Sequence, residues 1–249
     1  MRFAALARLA WLRQWRDPAS LALSVLTAPC FALLYGLIAP GGEPAFAGYL
    51  PSLLVFSSIM ALFGAAMALA RERAEPSLLL LRMAQVDGVA LVAGFALPQL
   101  LINLLSLALT LAAASAVGFQ SNGSLFAVGA ACALASCASI GLGLLVAATA
   151  KSVSRAFLSA SVVMFLQLLF SGLLFPRPSG PSVAIAGHEV SLWDLLPTTH
   201  LHLLLGRLLT TGDGALASPR LLALALLAAL FVAIGGLLLT RAIPTSARA

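Results

Sequence analysis

Three histidines, three cysteines, one lysine and eight carboxylates are the groups with which this chain could do acid–base, metal or nucleotide chemistry. His188, His200 and His202 all fall in one polar connection late in the chain, outside any apolar run, so paired haem ligands or a histidine-dependent protease dyad at membrane depth are excluded. His200 and His202 are two apart, and on a helix they point about 200° away from each other, which argues against a shared metal. Cys30, Cys132 and Cys137 lie within apolar runs, where cysteine behaves as a small hydrophobe, and their spacing matches no ligand pattern. Lys151 and Ser152 are the last two residues a phosphate-binding loop needs, but Leu145 and Ala150 stand at its two glycine positions. Asp17, Glu72, Glu75 and Asp87 lack the repeated aspartate spacing with which a lipid transferase would hold a divalent metal. No catalytic residue, no metal site and no cofactor bound by this chain are expected.

The charges are concentrated instead in one place. RERAEPSLLLLRM, residues 71–83, packs Arg71, Glu72, Arg73 and Glu75 into five positions of a chain that is only 9% charged. Pro76 suits the first turn of a new helix, Glu75 sits at its favourable dipole end, and Asp87 and Gly88 stop it. Four consecutive leucines, 78–81, in so short a helix need lipid or another protein to cover them.

The rest of the chain dictates what must position that segment. With 249 residues, 61% hydrophobic, and a mean hydropathy of +1.07, it carries repeated apolar runs of membrane-spanning length. The runs are continuous and rich in Leu and Ala, not alternating, so the expected fold is all-α with six transmembrane helices, at about 19–39, 50–70, 88–117, 125–150, 156–175 and 220–240. The third is long enough to tilt or to project into the cytoplasm. Pro29 and Pro98 lie inside spans one and three, where each removes a backbone hydrogen bond. Arginines break up the first sixteen residues, so no cleaved signal peptide is expected.

Basic residues are unevenly shared between the two sides. Arg2, Arg8, Arg13, Arg16, Arg71, Arg73, Arg82, Lys151, Arg155, Arg241 and Arg248 fall on one, against Arg177, Arg207 and Arg220 on the other. That bias places both termini and the 71–87 segment in the cytoplasm, with the chain as a multi-pass protein of the plasma (inner) membrane. The net charge of +6 orients the chain; there is no soluble module with a basic face for nucleic acid. Residues 1–17 read as an amphipathic helix in the inner headgroup layer, with Trp11 and Trp15 on one face and Arg13 and Arg16 roughly opposite, broken by Asp17 and Pro18. Residues 18–249 form the transmembrane domain. Its longest connection, external and spanning 176–219, includes a short helix at about 199–209, capped by Thr198 or Thr199, resting at the outer surface. Within the spans the polar groups are neutral, principally Gln99, Asn103 and Gln167. They could face a substrate path or hydrogen-bond between helices.

An ion-coupled carrier would need charge at mid-membrane, so energy is expected from outside the chain. The residues 49–88, YLPSLLVFSSIMALFGAAMALARERAEPSLLLLRMAQVDG, join a Pro-initiated second span to an Arg-Glu elbow, a short leucine helix and a long third span. With SGLLFP at 171–176 and LPTTHLHLLLGR at 196–207, this order resembles the membrane subunits of type-two ATP-binding-cassette (ABC) exporters. The chain has Glu75 and Pro76 where many relatives have Gly-Thr, and lacks the proline they commonly carry near Met83 and Ala84.

The resemblance implies a dimer, homomeric or of related copies, joined to separately encoded cytoplasmic ABC ATPase subunits that bind ATP and Mg. It makes a coupling helix of about 76–87, with Arg71, Glu72, Arg73, Glu75, Leu78, Leu81, Arg82 and Asp87 at the ATPase and Arg13, Trp15 and Arg16 as a second contact. Spans one and five would line the path, which makes Phe31, Tyr35 and Gln167 candidate lining residues. Gln99 and Asn103 are the other candidates. The cargo expected is hydrophobic or amphiphilic, a drug, natural product or lipid-like molecule. Glycan and haem export fit the same family, and an ATPase-independent carrier or channel is the rival class.

Overall fold

The computed structural model describes residues 2–38, 43–74, 88–172, 182–185, 188–210, 212 and 218–242. The expected coupling helix, with Glu75, Leu78, Leu81, Arg82 and Asp87, lies outside the described residues, as do Arg177 and Arg248. Among the described residues the helices are α1 (Arg2–Trp15), α2 (Pro18–Ile38), α3 (Glu43–Ala74), α4 (Gly88–Ala116), α5 (Leu125–Thr149), α6 (Val153–Phe170), α7 (Pro197–Thr210) and α8 (Pro219–Ala242). Six of them, α2, α3, α4, α5, α6 and α8, contain an apolar stretch long enough to cross a membrane. The fold is all-α and polytopic.

Helices α3 and α5 form the centre. Both are largely buried, whereas α2, α6 and α8 leave most of their surface outward, and exposed leucines such as Leu23, Leu158 and Leu226 suit lipid. The tightest pairing is α5 with α8. A Cβ added at Gly141 would come 2.6 Å from the backbone of Phe231 and Val232, and one at Gly235 would come 2.6 Å from the Gly141 carbonyl. Glycine at both positions lets the two backbones touch.

The starts of two elements differ from expectation. Pro51 does not initiate the second span: α3 begins at Glu43, and Pro51 lies inside it. A proline in the interior of a transmembrane helix is tolerated where neighbouring helices satisfy the freed carbonyl. Span five starts earlier, at Val153, where the Ser152 hydroxyl accepts from the Arg155 backbone N–H, and its helix ends at Phe170.

The external helix departs further. α7 does not rest at the outer surface: it packs against α3, α5 and α8, and Leu201, Leu204, Leu205, Leu208 and Leu209 are buried in the main core with Leu50, Leu54 and Val128. Those leucines recur at i, i+3, i+4, i+7 and i+8, one full apolar stripe, and a stripe of that width needs more cover than an interface provides. Neither Thr198 nor Thr199 caps it. The helix begins at Pro197, and both hydroxyls lie buried in its first turn without a partner. Before it come two features not anticipated, a hairpin of β1 (Ser182–Ile185) and β2 (His188–Ser191), paired antiparallel, and a 3₁₀ turn at Leu192–Leu195 with a Ser191–Asp194 capping box. Trp193 of that turn stacks on Phe170 with ring centroids 4.1 Å apart, tying the hairpin to the end of α6. His200 Nε2 donates to the Asp194 carbonyl at 2.7 Å. Burial pushes the His202 imidazole below its ordinary value, so it is neutral at pH 7.

Candidate functional site

The charged residues converge where α1 meets the ends of α3 and α4. Asp17 sets the geometry. Pro18 cannot donate a backbone N–H, so α1 stops and α2 starts afresh, with the Asp17 Oδ1 accepting from the Ser20 backbone at 3.2 Å. The other carboxylate oxygen, Oδ2, accepts from Arg71 Nη1 at 3.2 Å. One side chain therefore caps a span and holds the end of another.

Arg13 of α1 pairs with Glu72 of α3, whose side chain is only 4% exposed against 33% for the arginine. Next to it Gln14 Nε2 donates to Gln99 Oε1 of α4 at 3.2 Å. Gln99 reaches this position by lying over Gly64, where a Cβ would come 2.3 Å from its amide nitrogen. Arg73 turns the other way and donates to the carbonyls of Ala147, Ala148 and Ala150 at the C-terminal end of α5, where unsatisfied carbonyls and the helix dipole favour a cation. The three elbow charges, Arg71, Glu72 and Arg73, thus bind the α2 cap, α1 and the α5 terminus in turn.

The contacts of Asp17, Arg71, Arg13, Glu72, Gln14 and Gln99 border a cavity of about 540 Å³ at the end of the bundle that carries the N-terminal helix. Its mouth is polar, with Arg13, Arg16, Asp17, Arg71 and Glu72; its wall is Leu23, Met60, Phe63, Met67 and Phe157. Trp15 is exposed on the outer face of α1 with Leu9 and Leu12, a stripe suited to the membrane interface; Arg16, in the turn after the helix, is exposed at the cavity mouth, and Trp11 touches Trp15 at 6.2 Å between centroids.

The buried pair has an asymmetric consequence. Replacing Arg13 by Ala strips a buried carboxylate of its guanidinium, whereas Glu72→Gln leaves an arginine that reaches water. R13A should cost about 2 kcal/mol and E72Q clearly less. Melting of the purified protein by intrinsic fluorescence measures both; equal losses would show that the carboxylate is not what burial penalises.

The candidate path residues do not share one lining. Gln99 belongs to the cavity described above. Asn103 sits in a buried network between helices, with its Nδ2 donating to Ser136 Oγ at 2.6 Å and its Oδ1 accepting from Ser57 Oγ at 3.4 Å, so it joins α3, α4 and α5. Gln167 is buried on α6, and neither of its amide atoms has a partner. Phe31 and Tyr35 are exposed on α2 and form an aromatic chain with Phe56 and Tyr49 of α3. The role of Asp17 was not foreseen: an Asp-Pro break signals the cap, but nothing local signals a partner at Arg71.

Against known protein families, the model described as ABC-2 type transporter matches residues 1–196. A comparison with curated proteins finds no match.

Proposed function

The chain belongs to the ABC-2 type transporter family, and on that premise we propose that it is the permease subunit of an ATP-driven exporter. In this reading it pairs with a second permease copy, and a separate cytoplasmic ATPase supplies the energy. The cargo is hydrophobic or amphiphilic, moved out of the cytoplasm across the plasma (inner) membrane, with both termini on the cytoplasmic side.

The observation that carries the reading is the way the end of α3 is tied down. Arg71, Glu72 and Arg73 immediately precede the proposed coupling helix, and each grips a different element: the α2 cap, α1 and the α5 terminus. A displacement of residues 75–87 by a closing ATPase would reach those elements through the charge-assisted contacts at the end of α3. Phe31 and Tyr35 on the open face of α2, and the exposed Val162, Phe165 and Leu166 of α6, are then the surfaces available to the second copy and to an apolar cargo.

Purification of the tagged full-length chain from its native membrane tests the class. An ATP-binding subunit in stable complex, with ATP hydrolysis that rises when candidate amphiphiles are added, is the expected result. A chain that transports in vesicles on its own, with no such partner, would make it an ATPase-independent carrier.

A further inference from the structure

We propose that the cavity between α1, α2, α3 and α6 binds an anionic membrane lipid, with its phosphate at Arg16 and an acyl chain along the α3 wall. The cavity opens at a bilayer surface, because α1 carries an interfacial stripe and α2, α3 and α6 are spans that end or begin there. From the mouth it descends along α3 past Met67 and Phe63 to Met60, eleven residues from Arg71, which is about 16 Å of helix or half the hydrocarbon core. Among the described lining residues, the polar side chains beyond Ser20 and Ser24 of α2 are Gln14 and Gln99, which hydrogen-bond each other, and the rest of the wall is apolar. A head-and-tail ligand matches this gradient. A free ion would leave the deep wall uncovered, and a wholly apolar molecule would strand the mouth.

Charge at the mouth selects among lipids. Three arginines face one aspartate and one glutamate. Among the described lining residues, Arg13 is engaged by Glu72 and Arg71 by Asp17, which leaves one positive charge in excess, on Arg16. The site therefore complements a headgroup with one net negative charge better than a zwitterion. The ion pair with Asp17 holds the half-exposed Arg71 guanidinium at the rim, where its outward N–H groups suit phosphate oxygens. A volume of about 540 Å³ lies in the range of ligand cavities and takes one chain and part of a head, not a whole two-chain lipid. The second chain stays in the bilayer.

The test uses the full chain in phosphatidylcholine vesicles with a small fraction of phosphatidylglycerol carrying a photoreactive group on one acyl chain. After illumination, label on Met60, Phe63 and Met67 is expected. Unlabelled phosphatidylglycerol should compete about fivefold better than phosphatidylcholine, the scale of one arginine at an anionic membrane surface. Arg16→Gln, an exposed position, should lower that labelling by a similar factor while label on the outward-facing Leu222 and Leu226 of α8 is unchanged. Equal competition by the two lipids, or full labelling of R16Q, would overturn the assignment. Displacement by millimolar inorganic phosphate would overturn it in favour of a free anion. The inference needs only the membrane placement, so failure to find an ATPase would leave it standing.

Discussion

Export should fall at least about tenfold when Leu78 and Leu81 are both replaced by aspartate, and the proposed ATPase subunit should no longer co-purify with the chain. The expectation follows from the proposed coupling role. In the proposed coupling helix the two leucines, three residues apart, would share one face, and an apolar face beside Arg82 and the elbow charges would suit a cleft in a partner. Burying two carboxylates there in place of two leucines removes apolar contact and adds two charges that must be desolvated. Each change is worth about 2 kcal/mol or more at the centre of an interface, enough together to lower affinity by more than a hundredfold. Insertion into the membrane should be untouched, since the segment lies beyond the charged end of α3. The amount of inserted protein, the co-purified ATPase and the rate of cargo efflux should be measured on the same samples. Normal insertion with unchanged coupling would remove residues 75–87 from the mechanism.

The second large effect concerns folding. Gly141→Leu should abolish recovery of folded protein, because its side chain would enter the backbone of α8 at Phe231 and Val232, which cannot move aside as a side-chain tip would. Overpacking of this kind costs about 3 kcal/mol or more. Gly141→Ala and Gly235→Ala should each destabilise by a smaller amount. Combined, they should cost less than their sum, since the first already separates the helices that the second would push apart. Gly129 on the same helix is the control. An added Cβ there meets nothing within 4 Å, so Gly129→Ala should be neutral or stabilising by up to about 1 kcal/mol. Size-exclusion profiles of detergent-extracted protein after a heating series would measure all five. Recovery of G141L with wild-type stability would contradict the close α5–α8 approach.

The spans were legible because a run of apolar residues long enough to cross a bilayer is a local property. The α5 expectation, 125–150, differs from Leu125–Thr149 by one residue, and even the break at Asp17 and Pro18 is written in adjacent residues. What the sequence does not carry locally is the partner of each charge. Arg13 and Glu72 are far apart in the chain, as are Gln14 and Gln99, and only the placement of α1 beside the end of α3 and against α4 brings each pair together. Arg73 shows the same limit. Its neighbours Arg71 and Glu72 turn toward α1 and α2 while it faces α5, and periodicity alone names no recipient carbonyl. For α7 the signal was present in the spacing of Leu201, Leu204, Leu205, Leu208 and Leu209. Its length, too short to cross, suggested a surface position, but length forbids crossing without forbidding burial among helices that do cross.

The docked position of α7 has a consequence for the order of synthesis. Its slot is built by α3 and α5, made earlier, and by α8, made later. Between the end of α5 and the end of α7 the ribosome adds about 60 residues, roughly 3–12 s at common elongation rates. Throughout that interval Leu50, Leu54 and Val128 have no leucine stripe to meet. A nascent chain paused before residue 197 thus holds five inserted spans around an unfilled groove. Quality-control proteases and insertion chaperones that survey the bilayer would find it there.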